Sequence, residues 1–135
     1  MNYEGGCYCG AVRYHAEGEP MIKGECFCRE CRYLTGGSSN LVMGMPSSGF
    51  SFTKGIPASY TRTDLDAPIA RDFCSNCGTH LLSRPPSMPD AVLIKAGTLD
   101  DPALFGGPQM VIFTCDKEAY HQLPADVPTF ERGPG

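Results

Sequence analysis

Seven of the eight cysteines in this 135-residue chain fall into three short clusters. The clusters are Cys7 and Cys9, then Cys26, Cys28 and Cys31, then Cys74 and Cys77. Cysteines separated by one or two residues make poor disulfide partners, because the bond would close a very small, strained ring. Thiols at these spacings are typical of metal sites, above all zinc sites. The clusters therefore favour zinc over the alternatives, which are a disulfide framework or unrelated buried thiols.

Seven sulfur ligands cannot fill two closed tetrahedral sites, so the natural division is four plus three. A four-thiolate site is closed and structural, whereas a three-thiolate site leaves one position open for solvent or substrate. The second cluster can supply three ligands locally, with Cys31 on a following helical turn, and the first and third clusters then share the closed site. Gly10 and Gly78, which trail those two clusters, permit the positive φ that such a knuckle requires. The spacing also allows a zinc-ribbon pairing of Cys28 and Cys31 with the third cluster, which ranks second.

The rest of the chain reads as short strands separated by turns. Its 16 glycines and 12 prolines are spread along the sequence and favour many short elements over long helices. Strand character is found in residues 11–16, 41–45, 49–53, 59–62, 69–73, 80–83, 91–96 and 110–114. Helical turns are expected over 29–34, over 102–104 with Pro102 at the first position, and over 116–121. We predict a mainly β protein of small antiparallel sheets held together by zinc, with a few short helical turns. It should form one domain over residues 1–135, with a loosely held tail from residue 128 onward.

Charge and hydropathy exclude several kinds of partner. The formal net charge is −4 with neutral thiols, and seven thiolates with two zinc ions would bring it to about −7. Such a negative net charge is not typical of a protein that binds nucleic acid or an anionic membrane. No apolar run approaches the ~18 residues that cross a bilayer, and the N-terminal residues lack the pattern of a secretory signal. The expected compartment is the cytoplasm, where thiols stay reduced.

Motifs along nearly the whole chain carry a resemblance to a known family. They are Gly5-Gly6-Cys7-x-Cys9-Gly10-Ala11-Val12-Arg13-Tyr14, Cys26-x-Cys28-x2-Cys31-Arg32, Phe73-Cys74-x2-Cys77-Gly78-Thr79 and Ala96-Gly97-Thr98-Leu99-Asp100-Asp101-Pro102. In this order they resemble the family of glutathione-dependent formaldehyde-activating enzymes, which includes the centromere-protein-V-like domains. The resemblance implies a small β structure of the Mss4-like, or β-tent, type.

The same resemblance implies roles for the cysteines and for two small molecules. It assigns structural zinc to Cys7, Cys9, Cys74 and Cys77, and catalytic zinc to Cys26, Cys28 and Cys31. It implies glutathione as the thiol co-substrate and formaldehyde as the aldehyde. The chain departs from the family where Phe27 stands in place of a common His and Tyr120 in place of a common Trp. These departures leave the cysteines intact and bear on the substrate.

An open three-thiolate zinc site is suited to binding one more sulfur. Its Lewis acidity is weakened by the three thiolates, so the natural fourth ligand is a thiol held as a nucleophilic thiolate. Attack of that sulfur on a small aldehyde gives an S-hydroxyalkyl adduct, and the reverse reaction cleaves a carbon–sulfur bond. We therefore expect a carbon–sulfur lyase-type enzyme that carries two zinc ions per chain and acts on glutathione or a related thiol. The alternative is a non-catalytic binding or scaffold module in which zinc only supports the fold.

A few other side chains are candidates for contacts with a substrate or a metal site. Arg29 and Arg32 flank the second cluster and are the preferred contacts for carboxylates of the thiol, with Arg71 and Lys117 as further candidates. His80 follows the third cluster and is expected to pack beside the closed site rather than to bind metal. Cys115 suggests a weaker hypothesis of thiol redox chemistry, although an incidental thiol is the simpler interpretation.

Overall fold

Strands make up most of the regular structure, which confirms the expectation of a mainly β protein. The computed structural model describes residues 1–133. The strands are β1 (Asn2–Gly6), β2 (Arg13–Glu17), β3 (Ile22–Cys26), β4 (Asn40–Pro46), β5 (Phe50–Lys54), β6 (Ala58–Tyr60), β7 (Ala70–Phe73), β8 (His80–Arg84), β9 (Ala91–Lys95) and β10 (Met110–Ile112). One α-helix, α1 (Arg29–Thr35), and short 3₁₀ turns connect them within the described residues.

Seven strands form the larger sheet, in the order β10-β3-β4-β9-β8-β7-β6. Its neighbouring strands are antiparallel, apart from β10 and β3, which run parallel. The central strands β4 and β9 bury Met43, Met45, Val92 and Ile94 completely. These side chains lie in the hydrophobic core, whose burial supplies the main stabilisation of the fold.

The smaller sheet, ordered β1-β2-β5, packs its buried face on the same core. Tyr14 of β2 is fully buried there, and its hydroxyl lies 2.8 Å from Oγ1 of Thr98. Burial raises the pKa of Tyr14 to about 12. Gly5 lies directly against the Tyr14 ring and the carbonyl of Thr98, so any side chain at this position would collide with them. Strand β1, at the edge of the smaller sheet, is therefore held against the turn that follows β9.

Two strands escape the sequence-based prediction. β1 contains two consecutive glycines and β3 contains one glycine between charged residues, so neither shows the β-branched alternation typical of a strand. Both exist because of their neighbours in the fold: β1 pairs with β2 along its whole length, and β3 pairs with β4 over five residues. β3 also buries Glu25, whose carboxylate accepts a 2.5 Å hydrogen bond from Ser39.

The C-terminal segment differs from the prediction of a loose tail. Thr129 forms a parallel bridge with Val111 of β10, and the amide of Phe130 donates to the Val111 carbonyl at 2.8 Å. Further backbone bonds from residues 113–115 reach carbonyls of residues 130–132, so this stretch continues the edge of the larger sheet. The last two residues of the predicted tail, 134 and 135, lie outside the described residues.

The turn expected over residues 116–121 is divided in two. A 3₁₀ turn covers Thr114–Asp116, and a separate turn is closed by the amide of His121 on the carbonyl of Glu118. Phe113 adopts a left-handed φ of 56° between β10 and the first of these turns. In the part of the chain that the structure covers, no helix is long and apolar enough to cross a membrane.

Candidate metal centres

The first and third cysteine clusters meet in one group of four sulfurs. Cys7 and Cys9 lie in the connection between β1 and β2, and Cys74 and Cys77 lie between β7 and β8. All four sulfur atoms lie within 4.8 Å of one another. This four-cysteine group therefore joins the smaller sheet to the larger one.

The spacing of these sulfurs suits a tetrahedral zinc ion. The Cys7 and Cys9 sulfurs are 3.7 Å apart, and those of Cys9 and Cys74 are 3.8 Å apart. A zinc ion bound at about 2.3 Å from each sulfur would require sulfur–sulfur distances of about 3.8 Å. The donor set and its geometry therefore fit zinc without rearrangement.

Hydrogen bonds directed at the sulfurs support thiolate character in the four-cysteine group. The amide of Val12 donates to the Cys7 sulfur at 3.3 Å, and Nδ2 of Asn76 donates to the Cys9 sulfur at 3.3 Å. Hydrogen bonds from the side chain and backbone of Thr79 lower the pKa of the Cys77 thiol to about 5. A metal-bound thiolate is stabilised by the same kind of contact.

Glycines shape the backbone at both halves of the four-cysteine group. Gly10 has a φ of 79° and Gly78 a φ of 81°, a region that side-chain-bearing residues rarely adopt. The amide of Gly10 donates to the carbonyl of Cys7, and that of Gly78 to the carbonyl of Cys74. The tight turns expected from the sequence are therefore present in both connections.

The second cluster forms a separate group of three sulfurs at the junction of β3 and α1. Cys26 ends β3, Cys28 caps the N-terminus of α1, and Cys31 lies in its first turn. Their sulfurs lie within 4.8 Å of one another, with Cys26 and Cys31 buried and Cys28 half-buried. The sulfur of Cys28 accepts a hydrogen bond from the amide of Cys31 at 3.4 Å. The three-cysteine group thus comes from one short segment of the chain. This is the grouping that the sequence favours over the zinc-ribbon pairing.

Two residues that the sequence analysis did not single out lie directly behind this group. Nδ2 of Asn40 is 3.3 Å from the Cys31 sulfur, and the Asn40 carbonyl oxygen is 3.0 Å from Nζ of Lys95. Hydrogen bonds from Cys26 and Cys28, then the contact with Asn40 and the charge of Lys95, lower the pKa of Cys31 to about 3. These contacts favour negative charge on the three-cysteine group. No motif marks Asn40 or Lys95, because only the strand register brings them to the cysteines.

Two cavities flank α1 and share Leu34 as a wall. The first cavity, of about 170 Å³, is lined by Glu30, Tyr33, Tyr60, Arg62 and Arg71 among others. The second cavity, of about 250 Å³, is lined by Ser39, Asn40, His80, Lys95 and Gly97 among others. Asn40 both lines the second cavity and contacts the Cys31 sulfur, so this one side chain connects the cavity to the three-cysteine group.

The two arginines that flank the second cluster in sequence have different surroundings. Arg29 is exposed and lies over the ring of Tyr33, with its guanidinium carbon 4.8 Å from the ring centre. Arg32 is buried, and its Nη1 lies 3.5 Å from a carboxylate oxygen of Glu118. Its Nε is buried and finds no hydrogen-bond partner within residues 1–133. Neither arginine lines the two cavities described above.

His80 and Cys115 have surroundings that narrow their expected roles. The His80 ring packs against Phe73 with the ring centres 5.5 Å apart, and its buried Nδ1 has no partner among the described residues. Burial, together with the charges of Lys95 and Arg71, lowers the pKa of His80. His80 lines the second cavity and is not among the ligands of the four-cysteine group. Cys115 is exposed and belongs to neither sulfur group.

Comparisons with known proteins show what this chain is similar to. The model of a family described as glutathione-dependent formaldehyde-activating enzyme matches residues 2–116. A protein of Halomonas elongata that carries the same family name is 30% identical over 105 residues, which are 74% of this chain and 67% of that protein. The crystal structure of a Rhodobacter sphaeroides protein shares the fold with a TM-score of 0.62 at 21% identity, covering 78% of this chain and 96% of that one.

Proposed function

Since the chain belongs to the glutathione-dependent formaldehyde-activating enzyme family, we propose that it is a zinc-dependent carbon–sulfur lyase-type enzyme. It would form or cleave the S-hydroxymethyl adduct of glutathione, or of a related thiol, with a small aldehyde. The observation that carries this proposal is the three-cysteine group, which has one ligand fewer than a closed site and contacts Asn40 in the wall of a cavity.

Two zinc ions per chain are part of the proposal. Cys7, Cys9, Cys74 and Cys77 would hold a structural ion, and Cys26, Cys28 and Cys31 a catalytic one. Bound at the three-cysteine group, zinc would hold the sulfur of the co-substrate as a thiolate at neutral pH. The soft sulfur donors, their spacing and their hydrogen bonds support this assignment.

The reaction needs no oxidant and no further reactant. The thiol sulfur forms a bond to the carbonyl carbon, and the electron pair of the C=O π bond moves to the oxygen. The proton lost by the thiol ends on that oxygen, so the product is the hydroxymethyl thioether. The reverse reaction breaks the same carbon–sulfur bond and returns the thiol and the aldehyde.

The second cavity is where we place the aldehyde. Asn40 and Lys95 offer N–H donors in its wall, and the side chain of Ser39 lies at the same surface. Such donors stabilise a carbonyl oxygen that gains negative charge during the addition. The second cavity thus offers N–H donors to the aldehyde oxygen. The three-cysteine group offers sulfur ligands to the zinc ion that would hold the thiol.

The first cavity is where we place the peptide part of the thiol. Arg71 reaches Glu30 with one nitrogen at 3.3 Å, its one side-chain hydrogen bond within residues 1–133. Its remaining guanidinium N–H groups can therefore donate hydrogen bonds to a carboxylate of the substrate. Arg29 remains a proposed contact because it is exposed beside Tyr33, which lines the same cavity. Arg32 would act indirectly from within α1, since its side chain is buried against Glu118.

Exchange NMR of glutathione with formaldehyde tests the proposal. The exchange rate between free thiol and adduct is measured with and without zinc-loaded protein, because the uncatalysed addition sets a finite background. We expect acceleration by the wild-type protein and by Cys115→Ser, and none by Cys28→Ser. A background rate for the wild-type protein at every concentration would instead favour the binding or scaffold module.

A further inference from the structure

Lys95 is a buried cation whose hydrogen-bond partner is neutral. Its side chain is 9% exposed, and its ammonium group donates to the carbonyl oxygen of Asn40 at 3.0 Å. No carboxylate lies within ion-pair distance of it in the described part of the chain. A buried ammonium without a counter-charge is costly, so its retention calls for negative charge nearby.

The three-cysteine group supplies negative charge near Lys95. Asn40 bridges Lys95 to Cys31, because it accepts from the ammonium with its oxygen and donates to the sulfur with its nitrogen. Burial lowers the pKa of Lys95 to about 8, and the charges of the three cysteines oppose this effect. Lys95 and the sulfurs are therefore electrostatic partners that do not touch each other.

The charge on this buried group would grow during function. Three thiolates with one zinc ion carry a net charge of −1, and a thiolate co-substrate would bring it to −2. A second negative charge in a buried site is unfavourable unless a cation compensates for it. Arg32 also lies in this region, but its nearest carboxylate is Glu118, which already offsets its charge.

We propose that Lys95, besides lining the second cavity, supplies the positive charge that allows the three-cysteine group to accept an anionic sulfur as its fourth ligand. It acts through space and through Asn40, without contacting the metal or the thiol. This inference rests on the proposed function, because it assumes a thiol at the open position. It adds a reason for the selectivity of the site, which should prefer thiolates over neutral ligands of zinc.

The size of the effect follows from the two hydrogen bonds in series. They keep Nζ of Lys95 within about 9 Å of the Cys31 sulfur. At an effective dielectric constant of about 20, removing a unit charge at that distance weakens binding of a unit negative charge roughly 20-fold. A neutral ligand should be almost unaffected.

The experiment compares thiol and imidazole binding to zinc-loaded Lys95→Gln and wild-type protein by calorimetry. The thiol probe is 2-mercaptoethanol, which has no other charge, and zinc content is verified by elemental analysis. We expect Lys95→Gln to bind the thiol roughly 20-fold more weakly and imidazole within about twofold of wild type. Lys95→Arg, which keeps the charge, should stay within about threefold for both, and exposed Lys54→Gln should match wild type.

Three results would overturn the inference while leaving the proposed function standing. They are unchanged thiol affinity in Lys95→Gln, an equal loss of thiol and imidazole affinity, or an equal loss in Lys95→Arg. The last two would show that Lys95 supports the site by its shape. If the wild-type protein binds no thiol, the proposed function fails and this inference fails with it.

Discussion

The two sulfur groups connect stretches of chain of very different length, and this difference predicts different costs for losing each group. The four-cysteine group brings together Cys9 and Cys74, which are 65 residues apart in sequence. The three-cysteine group connects residues that already lie next to one another at the end of β3 and the start of α1. Loss of a ligand should therefore destabilise the fold more in the first group than in the second.

The magnitude can be worked out from the length of chain that each group closes. In the chain-entropy treatment of a cross-link, a loop of some 65 residues contributes about 4 kcal/mol, and one of six residues about 2 kcal/mol. Cys74 is also 1% exposed and packs in the hydrophobic core, whereas Cys28 is half-buried. We expect Cys74→Ser to lose about 4 kcal/mol of unfolding free energy, and Cys28→Ser at most about 2 kcal/mol.

Urea unfolding of the zinc-loaded proteins, followed by circular dichroism, measures this difference. Cys115→Ser is the matched control, because Cys115 is exposed and belongs to neither group. It should unfold at the wild-type urea midpoint, and in a thermal scan of the same proteins Cys74→Ser should have a melting temperature lower by roughly 10–20 °C. Equal losses for Cys74→Ser and Cys28→Ser would refute the division into a closed structural site and an open one.

Two further predictions concern metal content and alkaline stability. Protein purified without chelator should contain two zinc ions per chain by elemental analysis, and Cys28→Ser should contain one; a single ion in the wild type would contradict the four-plus-three division. Tyr14 keeps its proton up to a pKa of about 12 in the folded state, compared with about 10 when unfolded, so stability should fall as the pH rises above 10. The wild type should lose about 2–3 kcal/mol more than Tyr14→Phe between pH 8 and pH 12 in urea titrations, and Tyr8→Phe, at an exposed position, should behave as wild type.

Much of the fold could be predicted from local sequence patterns, and the failures have a common cause. Strands such as β2 and β9 alternate or carry β-branched residues, so their positions were foreseen. β1 was missed because its two glycines lower strand propensity, yet Gly5 is needed where Tyr14 presses on the backbone. The stretch around Thr129 is predicted to be loose because it lies at a terminus, yet its backbone bonds to β10. In each case a long-range contact outweighs the local propensity.

The two sulfur groups could be foreseen to different degrees for the same reason. The C-x-C-x2-C spacing brings Cys26, Cys28 and Cys31 together within one strand end and one helical turn, so the sequence nearly determines that group. The four-cysteine group needs both sheets to be packed before its sulfurs meet. Spacing alone therefore left a zinc-ribbon pairing open, and the fold decides against it.

The surroundings of the three-cysteine group depend on strand register, which sequence patterns do not reveal. Cys26 pairs with Asn40 across β3 and β4, and Val42 pairs with Lys95 across β4 and β9. Since side chains alternate along a strand, Asn40 and Val42 share one face, and Cys26 and Lys95 lie on that face too. A slip of one residue in either pairing would turn Asn40 or Lys95 to the opposite face of the sheet. The position of the Lys95 charge behind the sulfurs therefore depends on the pairing of the strands in the larger sheet. Lys95 and its hydrogen-bond partner Asn40 are 55 residues apart in sequence, so only this pairing brings them together.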